Sequence, residues 1–179
     1  MPTRPLSVIH GRDSDVLRTI VSFYPRPQGP IVDVTYGKGT MWKGLDARPI
    51  RCDMDSSRDI DIRCSFHELP FKDSSIACLV WDPPHLPAAA GSPKSNEDFK
   101  SRYGLSTSTR NPDISVIFPS FLREARRVLK DDGLLFAKLC DYVHARQYRW
   151  ILVSFVEAVR EAELTPCDLI VKVAPGGRL

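Results

Sequence analysis

Asp82-Pro83-Pro84-His85 is the segment of this chain whose residue types point most specifically to a chemistry. Consecutive prolines lack N–H groups and have fixed φ, so their carbonyls are held outward in a rigid arc. A carboxylate beside such a carbonyl makes a paired acceptor site suited to a planar amino group. One N–H goes to Asp82 and the other to a proline carbonyl. Engaging both localises a nitrogen lone pair that is otherwise conjugated into a heteroaromatic ring. Stabilising charge that develops in a dry pocket is usually the largest catalytic contribution. His85 could stack on the ring or hydrogen-bond to it. Without that chemistry, Asp-Pro-Pro is a stiff turn that ends a strand.

A second constellation is Asp33-Val34-Thr35-Tyr36-Gly37-Lys38-Gly39-Thr40. Glycines at 37 and 39 let a strand turn sharply while backbone passes close to a ligand. A G-x-G by itself marks many tight turns; here it follows an apolar strand that contains an acid. The dinucleotide fingerprint would place a third glycine at 42, where Trp42 stands, so a pyrophosphate cradle is disfavoured. Past a second strand lie Asp53 and Asp55. An acid in that place can accept both hydroxyls of a ribose. Asp53 is preferred because it ends the strand directly, and at least one of the two is a solvated loop acid. Further on, Ser65-Phe66 precedes His67, Glu68, Leu69, Pro70 and Phe71, where a side chain could flank an adenine ring. His67 itself reads as an exposed loop histidine.

These residues must be positioned by alternating strands and helices. Asp13-Ser14-Asp15 opens a helix through Val16, Ile20 and Val21 to about Phe23. Strands are expected over Ile31–Tyr36, Pro49–Asp53, more weakly Asp61–Cys64, and Ile76–Trp81, which must stop at the prolines. An irregular stretch, roughly Leu86 to Pro112, is expected to form a flexible substrate loop. Helical periodicity returns at Phe118, Phe121, Leu122, Ala125, Val128 and Leu129. Asp131-Asp132-Gly133 is expected to break it before a strand at Leu134–Leu139. A long helix, about Ala145 to Ala162, leads to a last strand, Asp168–Val173. Continuously apolar strands alternating with helices argue an α/β fold with a mostly parallel central sheet and helices on both faces. In such sheets ligands bind beyond the carboxyl ends of the strands, where both constellations fall.

Composition sets the outer bounds. The 179 residues are 42% hydrophobic and 26% charged, ordinary values for one globular domain spanning 1–179. A net charge of +3 is too small to demand a polyanionic partner. No apolar run is long enough for a spanning helix, and the first residues lack the apolar core of a secretory signal, so neither membrane insertion nor export is expected. Five scattered cysteines without C-x-x-C argue against a disulfide framework or a zinc site. Cys52, Cys78 and Cys140 sit in apolar runs as small hydrophobes, and the chain reads as reduced and cytoplasmic.

Together the motifs resemble the class I S-adenosylmethionine-dependent methyltransferases. More narrowly, they resemble the amino-methyltransferases that modify adenine N6 or cytosine N4 in DNA. The resemblance covers about residues 30 to 140. Asp33-x-x-x-Gly37-x-Gly39-Thr40 matches the cofactor loop, and Leu69-Pro70-Phe71-Lys72-Asp73-Ser74-Ser75 matches the turn into the fourth strand of the family sheet. Asp82-Pro83-Pro84-His85 matches the catalytic tetrapeptide, and Phe121 through Gly133 matches the helix and turn before the fifth strand. The resemblance implies a Rossmann-like methyltransferase fold that binds S-adenosyl-L-methionine. Thr35, Tyr36, Gly37, Gly39 and Thr40 would lie along the cofactor, with the two glycines at its methionine part and Asp33 near its amino group. Asp53 or Asp55 would hold the ribose, and Ser65 and Phe66 would lie at the adenine. Asp82, Pro83, Pro84 and His85 would grip the target amino group.

The chain departs from the family pattern in places. His85 stands where an aromatic residue is usual, and Ser65 where an aspartate is common. No insertion is large enough to be a separate target-recognition domain. The family sheet closes with an antiparallel hairpin, of which only one strand is legible, near Leu169–Val173; a shortened C-terminus or a partner subunit would account for this. Lys94, Lys100, Arg102 and Arg110 around Tyr103, against Glu97 and Asp98, directly follow the proposed site and are expected to grip a nucleic-acid substrate. Arg123, Arg126, Arg127 and Lys130 read as a solvated helix face. The function expected first is methylation of an exocyclic amino nitrogen of a nucleobase, in DNA. RNA or a small molecule is the second substrate reading. The third is a non-catalytic relative serving as a nucleic-acid- or partner-binding subunit, which His85 and Ser65 favour.

Overall fold

The structure is a computed structural model that describes residues 7–24, 28–83, 114–144 and 146–173. A short strand β1 (Val8–His10) and helix α1 (Asp13–Phe23) precede β2 (Ile31–Asp33), β3 (Ile50–Asp53), β4 (Ile62–Arg63) and β5 (Ile76–Trp81). Helix α2 (Phe118–Val128) then runs into β6 (Leu129–Ala137). The hairpin β7 (Tyr142–His144) and β8 (Gln147–Arg149), helix α3 (Ile151–Glu161) and strand β9 (Val171–Val173) follow. Strands β2 to β6 form one parallel sheet in the order β4-β3-β2-β5-β6. The chain is thus α/β. From β2 it builds outward through β3 and β4, then returns to the other side of β2 to add β5 and β6. The strand order therefore reverses between β2 and β5, the place where ligands bind in open parallel sheets.

Both faces of the sheet are covered. Every residue of β5 is buried, as a central parallel strand requires. On one face Leu79 and Trp81 meet α2 and α3. Helix α2 carries Pro119 in its first turn, where no N–H is needed, and buries Phe118, Phe121, Leu122, Ala125 and Val128 in one stripe. Helix α3 adds Ile151, Phe155 and Val159 at helical spacing. On the opposite face Cys78 and Val80 meet Leu17 and Val21 of α1 together with Trp42. Each large apolar side chain so buried stabilises the fold by roughly 1.5–3 kcal/mol before ordering costs. No helix among the described residues is long and apolar enough to cross a membrane.

Several boundaries differ from expectation. Strand β2 ends at Asp33 rather than Tyr36, because the glycine turn begins earlier. Asp131-Asp132-Gly133 does not precede the strand but lies within β6: Ile76 opposes Leu129 and Cys78 opposes Leu134, so the polar turn bulges out of the ladder. The helix expected from Ala145 starts only at Ile151. Residues before it pair as an antiparallel hairpin, with Arg146 in the left-handed region at φ 63°. Strand β9 is shorter than Asp168–Val173 and pairs in parallel with β1, a strand not anticipated, instead of joining the main sheet. Cys140 is exposed past the end of β6, whereas Cys52 and Cys78 are buried as expected.

Candidate active site

The two constellations meet at the strand reversal. Strands β2 and β5 are neighbours with Asp33 opposite Val80, so their carboxyl ends emerge side by side. The Asp82 backbone N–H donates to Thr35 Oγ1 at 2.7 Å, a bond that ties the first residue beyond β5 to the glycine loop. Behind it, Trp81 is fully buried and stacked on Phe121, with ring centroids 4.0 Å apart, and Pro83 is buried as well. The backbone on both sides of Asp82 is therefore held by packing, while its side chain remains partly open to solvent.

The Asp82 carboxylate faces a lysine that sequence reasoning missed. Lys138, just past β6, donates from Nζ to Asp82 Oδ2 at 3.0 Å and to Asp13 Oδ2 at 3.2 Å. Its own backbone N–H donates to the Trp81 carbonyl, which fixes its place beside the tip of β5. Asp13, in the first turn of α1, also accepts from Lys172 Nζ at 2.6 Å. The β1–β9 pair is what brings Lys172 to that helix end. These two lysines hold the Asp13 carboxyl below the usual range against the opposing effect of its burial. The available signal was a lysine inside the apolar run Leu134–Leu139, where a charge needs a partner.

On the glycine loop, Gly37 and Gly39 both adopt left-handed backbone, with φ of 56° and 63°. Among the described residues, a side chain added at Gly37 would meet only the Thr35 carbonyl, at 3.8 Å, so they leave that flank of the loop open. At Gly39 the Tyr36 ring occupies the corresponding space, with the Arg51 guanidinium 5.8 Å from the ring centre. Asp53 Oδ2 accepts the Gly37 N–H at 2.9 Å and its Oδ1 accepts the Asp55 N–H at 2.8 Å. Asp55 turns elsewhere, to the Ser57 backbone and hydroxyl and to Arg58. Of these two acids Asp53, the last residue of β3, bonds to the loop backbone.

Asp33 is 3% exposed and shapes the loop from within. Its oxygens accept the Trp42 indole N–H at 2.7 Å and the Thr35 N–H at 3.0 Å. Burial, reinforced by the nearby Asp82 and Asp53 charges, pushes its carboxyl up to about 6. Thr40 follows the loop and lines, with Gly11, Arg12, Asp13, Ser14, Lys43 and Lys172, a cleft of about 360 Å³. This cleft lies on the α1 side of the loop and connects to Asp82 through Asp13 and Lys138.

The remaining expected residues divide into three groups. Ser65 sits just beyond β4, its Oγ accepting the His67 N–H. Phe66 is buried in the core, edge-on to Trp81 and Phe121. His67 is half-buried and bonded to Ser120 at 2.6 Å rather than being an exposed loop histidine. Arg127 is not part of a solvated face either: it binds Glu124, Asp73 and the carbonyls of Leu69 and Phe71, fastening α2 to the turn before β5. Lys130 donates to the Gln28 carbonyl, whereas Arg123 and Arg126 are both exposed, as a solvated helix face requires. Pro84, His85, Lys94, Lys100, Arg102, Tyr103 and Arg110 lie outside the described residues. Compared with known proteins, the chain matches no family model, no curated protein and no solved structure.

Proposed function

We propose that this chain is an S-adenosylmethionine-dependent methyltransferase of Rossmann-like fold that acts on an exocyclic amino nitrogen of a nucleobase, in DNA before RNA or a small molecule. The observation that carries the proposal is the 2.7 Å bond between the Asp82 backbone and Thr35, which joins an amino-gripping motif to a glycine loop at the reversal point of a parallel sheet. The strand order β4-β3-β2-β5-β6 supports the same reading.

The residues present fit the cofactor. The open flank of Gly37 admits close approach of a ligand to backbone. Asp53 keeps lone pairs for ribose hydroxyls, because each of its oxygens accepts one backbone N–H and a carboxylate has about four acceptor sites. The cleft beside the loop presents Arg12 and Lys43, cations that a ligand carboxylate could meet. When bound, S-adenosylmethionine supplies an electrophilic methyl group on a sulfonium. The chain's own task is positioning and electrostatics. Asp82 accepts one N–H of the target amino group, and Lys138, bonded to Oδ2, holds the carboxylate in one orientation. Trp81 and Pro83 exclude water from behind it.

Labelled S-adenosylmethionine incubated with DNA, RNA and nucleosides in parallel tests the proposal, with Asp82→Ala as control. Label should enter one polymer, and the variant should lose on the order of 10²-fold or more in rate. Equal transfer by Asp82→Ala would remove that residue from the mechanism. Absence of a thermal shift at saturating cofactor would leave only a non-catalytic binding role.

A further inference from the structure

The hairpin β7–β8 leaves the sheet just past Lys138, on the rim that carries Asp82, and displays apolar surface that the fold does not use. Val143 is 66% exposed, Tyr148 50% and Trp150 62%. The Tyr148 and Trp150 rings lie against one another, with centroids 4.5 Å apart and planes at 55°. Arg146, at the exposed turn, and Arg149, between the two rings in sequence, form no ion pair among the described residues. The nearby acid is committed to the protein: Asp141 Oδ1 accepts the Leu152 N–H that opens α3, at 2.9 Å, and Oδ2 lies 3.4 Å from the Tyr148 hydroxyl. That arrangement steadies the Tyr148 ring and leaves the positive charge of the hairpin facing outward.

Exposed aromatic rings flanked by uncommitted guanidiniums match the two halves of an unpaired nucleic-acid strand: bases stack on the rings and phosphates pair with the cations. The rings stand among Gln147, Arg146 and Arg149, a polar and positively charged setting complementary to a phosphate backbone. We propose that Tyr148 and Trp150 form a stacking platform for single-stranded nucleic acid, with Arg146 and Arg149 holding its phosphates. The inference rests on the reading of the adjoining site as one that acts on a nucleobase. It supplies that site with a surface for the strand from which the base comes.

The protein contains a convenient reporter. Of its three tryptophans, Trp42 is 8% exposed and Trp81 is fully buried, so Trp150 is the one that meets solvent. The full chain is titrated with an oligothymidylate of about 16 nucleotides, the upper site size of a stacking groove. A uridylate of equal length and a duplex are the other arms, and no cofactor is added. Tryptophan emission should be quenched by the single strands more strongly than by the duplex. Tyr148→Ala, which keeps the reporter, should weaken binding about tenfold, the loss of one base–aromatic stack. By anisotropy of a labelled oligonucleotide, Trp150→Ala should weaken binding similarly and Trp150→Phe should restore most of it. Replacing Arg146 and Arg149 by Gln should reduce the slope of log affinity against log salt by about 1.4, the release expected for two phosphates on a single strand.

Failure of the single strands to quench at saturating concentration would overturn the proposal. So would a Tyr148→Ala variant that binds normally. Quenching that grows with protein concentration alone, with a doubled mass in sedimentation, would instead make the hairpin an interface between two copies. Oligonucleotide binding without methyl transfer would remove the catalytic reading and leave the platform standing. Transfer with normal binding by Tyr148→Ala would do the reverse.

Discussion

Replacing Thr35 by valine removes a single acceptor atom from the junction between the two motifs. Valine has the same branched shape, so the half-buried site neither collapses nor overfills, and the Thr35 N–H still reaches Asp33 at 3.0 Å. What disappears is Oγ1, the acceptor 2.7 Å from the Asp82 backbone N–H. A donor deprived of its partner in a partly buried place costs about 1–2 kcal/mol. For a domain of this length that corresponds to a fall in Tm of roughly 2–8 °C. The catalytic effect should be larger in proportion. Asp82 would lose the bond that sets its position relative to the loop, and a displacement near 1 Å at a reacting centre can cost about 10²-fold. Thr35→Val is therefore expected to lower the rate of methyl transfer by about 10- to 100-fold. Thr35→Ser, which restores the hydroxyl, should recover most of that loss. Thermal unfolding and transfer of label, measured on both variants, decide the matter. A valine variant as stable and as active as the parent would refute the junction, and a serine variant as impaired as valine would refute the claim that the hydroxyl bond suffices to position Asp82.

The glycines should separate folding from binding. Gly37→Ala carries about 1–2 kcal/mol of left-handed strain but meets open space, so it should fold yet lose the thermal shift given by S-adenosylmethionine; Gly39→Ala adds overlap with the Tyr36 ring and should destabilise more, and a Gly37→Ala variant with the full shift would count against an open flank for the ligand. The buried Asp33 carboxyl, raised to about 6, is favoured in its protonated form in the folded state, so its contribution to stability is complete below about pH 4 and is lost as pH rises through 6. The loss amounts to about 3 kcal/mol at most, and Asp33→Asn should lack it; parallel urea-unfolding profiles for the two proteins from pH 4 to 7 would contradict the assignment.

The parts of this architecture legible in the sequence are those written in local pattern. Ile76–Trp81 reads as a buried strand because every position is apolar, and α2 is legible because its stripe repeats at helical spacing from Phe118 to Val128. Where long-range pairing decides, local pattern misleads. Tyr142–Arg149 carries enough apolar residues to extend a helix, yet backbone pairing across the Arg146 turn takes precedence, and the helical stripe proper begins at Ile151. Val8–His10 is too short to announce itself and exists as a strand through its pairing with β9. The candidate site divides in the same way. Asp82, Gly37 and Asp53 were singled out from motif and position. Lys138, Asp13 and Lys172 were not, because they come from three distant segments that only the folded sheet brings together.

The electrostatics of the crevice also bear on what it could hold. Asp33, Asp53 and Asp82 lie close enough for the latter two to raise the Asp33 carboxyl, and among the described residues Lys138 is the cation in direct contact with Asp82. A phosphate brought to the tip of β2 would add negative charge to that group. The position where a dinucleotide loop would have its third glycine is also filled, by a Trp42 indole that is itself hydrogen-bonded to Asp33. A ligand carrying positive charge at that point would relieve the repulsion instead, and would favour the ionised form of Asp33 as it bound. The same acids that make the loop inhospitable to a pyrophosphate therefore suit the sulfonium and ammonium of the proposed cofactor better than the phosphates of a nicotinamide or flavin dinucleotide.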